Sequence, residues 1–188
     1  MRPPNDAAVT FTYDDFVHFP DDGKRHEIID GEHYVSPSPN VKHQTVSMNL
    51  TRAFILYLDR HHVGRLFAAP LDIVFSDRDV VEPDLLYISA ERLGILTGEH
   101  VRGAPDLAVE ILSPATRRID EGRKRELYER FGVREYWIID PEVDAVTVFR
   151  QVAGAFARVA ELSAVAGDAL TTPMLPGLSI PLSEIFAS

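Results

Sequence analysis

Between Asp106 and Asp140 the chain reads as a strand, a helix and a second strand, and this order constrains the fold more than any other stretch. LAVEIL (107–112) is an apolar run broken only by Glu110, the pattern of a strand covered on both faces. Ser113-Pro114 ends it. From Ala115 or Thr116 to Phe131 the periodicity is helical, with Gly132 as C-cap, and VREYWIID (133–140) is a strand ended by Pro141. Two strands joined by a crossover helix run parallel, with a right-handed connection. The fold is therefore predicted to be α/β, a mixed sheet flanked by helices.

The same stretch holds the residues that are hardest to bury. Side chains alternate along a strand, so Val109 and Ile111 face one way while Ala108, Glu110 and Leu112 face the other. Glu110 is thus aimed into a covered apolar layer, where an unpaired acid is seldom found. An ion pair with an arginine would satisfy it structurally; a functional site is the other place where such acids concentrate. Lys124 shares the stripe Asp120, Leu127/Tyr128 and Phe131, opposite a polar face of Arg123, Arg125, Glu126, Glu129 and Arg130. It either snorkels to solvent or points at Glu110 across the loop 113–116. Asp84 follows Pro83 in VVEPDLLYIS (80–89), where a proline marks a bulge or edge because it cannot donate to a ladder. Glu82 shares its face. Two acids and a lysine converging at a sheet edge are the minimum set for holding a divalent metal and activating a water. A metal-dependent nuclease is the expectation.

The remainder supplies a frame. A short helix is expected around Thr12–Phe19, with Thr10 or Thr12 as cap. Residues 25–37 read as two strands about the turn Asp30-Gly31, 36–40 as a loop and 41–58 as a helix. Residues 64–75 form a strand broken near Pro70, with 80–89 as hairpin partner across the turn 76–79. The segment 90–105 is a helix or irregular loop; 146–151 and 155–162 form a hairpin, and 176–186 an edge segment. At 188 residues one domain is the simplest organisation, a core about 25–141 followed by the hairpin and edge segment 145–188. MRPPND at the start reads as a loose tail. With no cysteine there are no disulfides or thiolate metal sites, and no apolar run approaches ~18 residues, so a cytoplasmic, non-membrane protein is expected.

The net charge of −10 runs against phosphate binding. Its distribution is uneven: seven basic residues stand against four acids between Arg117 and Arg134, either a solvated helix face or a basic wall beside an acidic site. His43, on the Val46–Leu50 side of its helix, and Glu27, in HEIIDGE, are individually weak signals.

Taken in order, EIIDGEHYVSPSPNVKHQ (27–44), PDL (83–85), VEILSP (109–114) and Lys124 through LYERFGVREYWIIDP (127–141) resemble the Uma2 family of restriction-endonuclease-like proteins. The resemblance implies the PD-(D/E)xK nuclease fold and Mg²⁺-assisted attack of water on a phosphodiester. In that pattern a lysine stands two residues after the second acid; here the position is Leu112, and the resemblance to divergent branches assigns the ammonium to Lys124. It likewise implies Asp84 and Glu110 as metal-binding acids, the Ile111 carbonyl as a further ligand, Glu27 and His43 as site residues, and Tyr128 as a hydrogen-bonding member. Oxygen ligands suit Mg²⁺ or Mn²⁺. DNA is the implied substrate, and cutting both strands favours a homodimer. The alternatives are a catalytically silent nuclease-fold module that binds nucleic acid or a protein, and a hydrolase of small phosphate esters.

Overall fold

The computed structural model describes residues 9–188; the tail MRPPND lies outside them. Thr12 caps the first helix, α1 (Tyr13–Phe16), through a reciprocal box with Asp15. A hairpin of β1 (Arg25–Ile29) and β2 (Glu32–Ser36) follows. The long helix α2 (Val41–His61) is capped by the Asn40 side chain, which accepts from the His43 N–H, and runs one turn beyond the expected range. Next come β3 (Gly64–Ala68), β4 (Ile73–Ser76), β5 (Asp79–Val81), β6 (Leu85–Ser89), a 3₁₀ turn over Ala90–Ile95 and β7 (Val101–Arg102). The strand–helix–strand unit is β8 (Leu107–Ile111), a helix in three pieces, and β9 (Glu135–Asp140). The chain closes with the hairpin of β10 (Ala145–Val152) and β11 (Ala155–Ser163), the pair β12 (Ala169–Thr171) and β13 (Ser179–Pro181), and a terminal turn of helix.

These strands form two main sheets. One has the order β11-β10-β9-β8-β6-β3, the other β2-β1-β5-β4-β7. The β8–β9 pair is parallel, as the crossover requires, and β6 joins β8 antiparallel. The expected hairpin across residues 64–89 forms, but it is bent: β3 pairs β6 in one sheet while β4 pairs β5 in the other. The bend lies at Pro70 on one arm and at Pro83 and Asp84 on the other. Asp84 therefore sits where the two sheets part.

Alternation on β8 divides the core. Leu107, Val109 and Ile111 pack with Val46, Leu50 and Phe54 of α2, Trp137 and the C-terminal segment. Ala108 and Leu112 belong to a second cluster with Leu127, Tyr128, Tyr136 and residues of the smaller sheet, such as Ile29 and Ile73. The crossover helix is α3 (Arg117–Ile119), a π turn (Asp120–Lys124) and α4 (Arg125–Arg130). A widened turn of this kind is uncommon and recurs at functional sites. Here it keeps both Asp120 and Lys124 buried beneath the helix. Gly132, at φ 78°, lets the chain leave α4, and the Val133 N–H returns to the Tyr128 carbonyl.

Candidate active site

The C-terminal end of β8, the bend at Asp84, the start of β1 and the π turn meet around one small cavity of about 230 Å³. Its wall includes Arg25, His43, Asp84, Glu110, Ile111, Asp120 and Lys124, and the loops 36–40 and 113–116 form its rim.

Asp84 is held on both oxygens. Arg25 Nη1 donates to Oδ1 at 3.0 Å, while Oδ2 accepts the Ile111 N–H at 2.7 Å and lies 3.2 Å from His43 Nε2. Burial alone would raise this carboxyl; the His43 hydrogen bond, the Arg25 charge and the Ile111 N–H outweigh it and hold it below the ordinary carboxylate value. Arg25 also reaches Glu82, 2.6 Å from its Nε.

Glu110 has a different environment. Its Oε1 accepts Lys124 Nζ at 2.9 Å and the Tyr128 hydroxyl at 2.7 Å. Lys124, only 2% exposed, also lies 2.8 Å from Glu27 Oε1 and 3.6 Å from Asp120 Oδ1, so no snorkelling occurs. Burial would lower the Lys124 ammonium, but Glu110, Glu27 and Asp120 raise it above its ordinary value. Burial dominates for Glu110, which is raised well above the carboxylate range with Lys124 only partly offsetting. Asp120 is pushed to about 6 and Glu82 to about 7, each mainly by burial, against the opposing pull of Lys124 and Arg25 respectively. The Tyr128 hydroxyl is likewise raised by burial and by Glu110, and stays a donor.

Five carboxyl groups (Glu27, Glu82, Asp84, Glu110, Asp120) thus share two permanent cations, Arg25 and Lys124. Burial raises Glu82, Glu110 and Asp120, and the two cations offset it only in part. Asp120 Oδ1 and His43 Nδ1 are buried without a hydrogen-bond partner. Among the described residues no three His, Asp or Glu side chains are placed to hold a metal by themselves. Two carboxylates, a backbone carbonyl and water are a donor set that Mg²⁺ accepts, since it commonly retains waters and uses one or two protein carboxylates. A strand residue's N–H and C=O point to the same edge. Ile111 donates to Asp84 from that edge, so its carbonyl faces the same gap. The residues present fit a hard divalent cation.

The family model of Uma2, described as "Putative restriction endonuclease", matches residues 13–183. The chain belongs to the Uma2 family. Among solved structures, a putative nuclease belonging to DUF820 from Anabaena variabilis ATCC 29413 superposes with a TM-score of 0.79 at 21% identity, over 94% of this chain and 98% of that one, and so shares the fold. The type IIG restriction endonuclease BpuSI aligns at TM-score 0.41 and 12% identity, over 77% of this chain and 15% of its own. No curated protein matches this sequence.

In this Uma2 chain the structure brings Asp84, Glu110, Ile111, Lys124 and His43 to one cavity, and sets Glu27 and Tyr128 behind Lys124 and Glu110 as their supports. Glu110's partner is a lysine and a tyrosine; the arginine that its burial suggested goes to Asp84 instead. Leu112, in the motif lysine's place, is packed in the apolar cluster. Arg25, Glu82 and Asp120 were not singled out as site residues from sequence. Arg25 alternates with Glu27 on β1, and that shared face was the available signal. The basic stretch resolves as structure rather than a basic wall: Arg117 pairs with Asp140, Arg130 with Asp30 and Asp79, and Arg134 with Asp106. No described helix is long and apolar enough to cross a membrane.

Proposed function

We propose that this protein is a Mg²⁺-dependent endonuclease that hydrolyses DNA phosphodiester bonds in the cytoplasm, working as a homodimer. The supporting observation is the convergence of Asp84, Glu110, Asp120 and the buried Lys124 on one open cavity. Family membership and the shared fold support the same reading.

Asp84, Glu110 and the Ile111 carbonyl would hold the cation. Mg²⁺ bound there supplies Lewis-acid polarisation of the scissile phosphate and a more acidic water. Arg25 and His43 keep Asp84 ionised and aimed. Lys124 stabilises the charge that develops on phosphorus oxygens, and its ammonium is kept protonated by Glu27, Glu110 and Asp120. Tyr128 is a positioning residue: its hydroxyl fixes Glu110 Oε1 and leaves the other oxygen for the cavity.

The reading is tested by incubating the protein with supercoiled plasmid and single-stranded DNA in Mg²⁺, Mn²⁺ or EDTA. Cutting is expected with metal and not with EDTA, and Asp84→Ala or Glu110→Ala should each reduce it by at least ~10²-fold. Undiminished cutting by both variants would refute the assignment. One observation favours a catalytically silent module that binds nucleic acid or a protein instead: both Asp84 oxygens already have protein partners. Metal-independent DNA binding without cleavage would support it.

A further inference from the structure

Helix α2 carries two apolar faces. His43, Val46, Leu50, Phe54 and Tyr57 are buried against the larger sheet. On the opposite side Met48 is 64% exposed, Ile55 48% and Leu56 51%, and Val63 just beyond the helix is 38% exposed. At ~100° per residue Met48, Arg52, Ile55 and Asp59 fall within about 60° of one another, and Leu56 flanks them. A helix that is apolar on opposite sides is ordinarily covered on both. Arg52 and Asp59 are exposed, and among the described residues neither is in an ion pair with another part of the chain.

The charges on this face say what covers it. Consider two copies of α2 packed antiparallel about a two-fold axis that passes between Ile55 and Leu56. Ile55 then meets the partner's Leu56, Met48 meets the partner's Val63, and Arg52 meets the partner's Asp59. One register thus closes two exposed apolar contacts and pairs both charges, and by symmetry it does so twice. An isologous contact demands this self-complementarity. A face built for an unrelated partner has no reason to show it.

We infer that the outward face of α2 is the two-fold interface of a homodimer, centred between Ile55 and Leu56. This deepens the homodimer named in the proposed function, but it rests on the helix surface and not on the chemistry of the cavity. His43 lies near the N-terminal end of α2. In the antiparallel pair the two cavities stand at opposite ends of the interface, with the histidines separated by roughly 38 Å along the helix axis, from 25 residues at ~1.5 Å rise. From Met48 to Val63 the patch is about 23 Å long and one helix wide, in the weak class of interfaces, so association no tighter than micromolar is expected.

The test is light scattering of the full chain across concentrations up to about 100 μM. The wild type should pass from monomer to dimer in this range. Arg52→Asp alone and Asp59→Arg alone should each weaken the dimer by ~10-fold, and the double swap should restore it, because the pair is re-formed with its signs exchanged. Unchanged circular dichroism and melting temperature in each variant separate this result from misfolding. The chain has no cysteine, so Ile55→Cys should give a disulfide-linked dimer on oxidation while Val165→Cys, on a site 94% exposed, should not. A wild type monomeric throughout overturns the inference and leaves the face to a different protein. A dimer equally strong in all charge variants overturns this interface. Plasmid cleavage measured alongside reports the nuclease reading separately: a dimer that does not cut refutes the nuclease chemistry alone, and a monomer that cuts refutes this interface and the homodimer with it while the nuclease chemistry stands.

Discussion

The two faces of β8 are drawn alternately from five consecutive residues, yet they have opposite physics. Leu107, Val109 and Ile111 look toward α2 and Trp137, where the requirement is close packing. Ala108 and Glu110 look toward the crossover helix, where one acid has a lysine and a tyrosine as partners and two further acids, Glu27 and Asp120, gathered on the same lysine. The first face gains stability from what it buries. The second holds groups whose burial costs free energy and is only partly offset by pairing. A strand that carries both shows how a rigid packed layer can hold a strained polar layer in place, and substitutions on each face should separate stability from activity.

The largest effect is expected at the centre of the polar face. Lys124→Met leaves Glu27, Glu110 and Asp120 without their shared cation, and removing one partner of a buried pair typically costs about 3–5 kcal/mol. Chemical denaturation should register a loss of that order, and adding Glu27→Gln should return part of it. If Lys124→Met melts like the wild type, the buried network is not what holds this layer together.

On the packed face, Leu107→Ala should cost about 2–5 kcal/mol through transfer and cavity terms while leaving the cavity's chemistry intact. Specific activity per folded molecule should therefore match the wild type at low temperature. A selective loss of activity would show that the two faces are not separable.

A third expectation concerns pH. Asp120 is raised to about 6, chiefly by burial, so the metal-free native state keeps a proton that the unfolded chain releases near its ordinary value of 3.8. The contribution is fully present below about pH 4 and is lost as pH rises through about 6, on the order of 2–3 kcal/mol in all. Melting curves from pH 4 to 7.5 should show this decline in the wild type and a flatter profile in Asp120→Asn. Parallel profiles would place Asp120's proton elsewhere.

Smallest is Arg123→Ala. Arg123 lies 3.7 Å from Asp30 and 3.6 Å from Glu32 on an exposed surface. Its removal should change stability by less than ~0.5 kcal/mol and DNA affinity hardly at all. A large fall in DNA binding would revive the basic wall that the ion pairs argue against.

What was legible in the sequence followed from local periodicity. Alternation put Glu110 on the inner face, the helical stripe put Asp120, Lys124 and Tyr128 on one side, and the crossover fixed β8 and β9 as a parallel pair. Partners chosen across the fold were not legible. Arg25 pairs with Asp84 over 59 residues because the bend at Pro83 carries Asp84 to the mouth between the sheets. Pro70 marked one break in the hairpin, but that its two halves enter different sheets depends on what packs beneath them. The π turn was equally invisible, since its residues keep a helical pattern while their carbonyls shift partners.

The acids around Glu110 are proposed to form a cation site. Calorimetric titration of Mg²⁺ and Mn²⁺ into the purified protein, beside Glu110→Ala, decides whether they do. About one divalent ion per chain is predicted, bound at millimolar concentration or below and lost in the variant. Absence of binding by the wild type, or equal binding by Glu110→Ala, would contradict it.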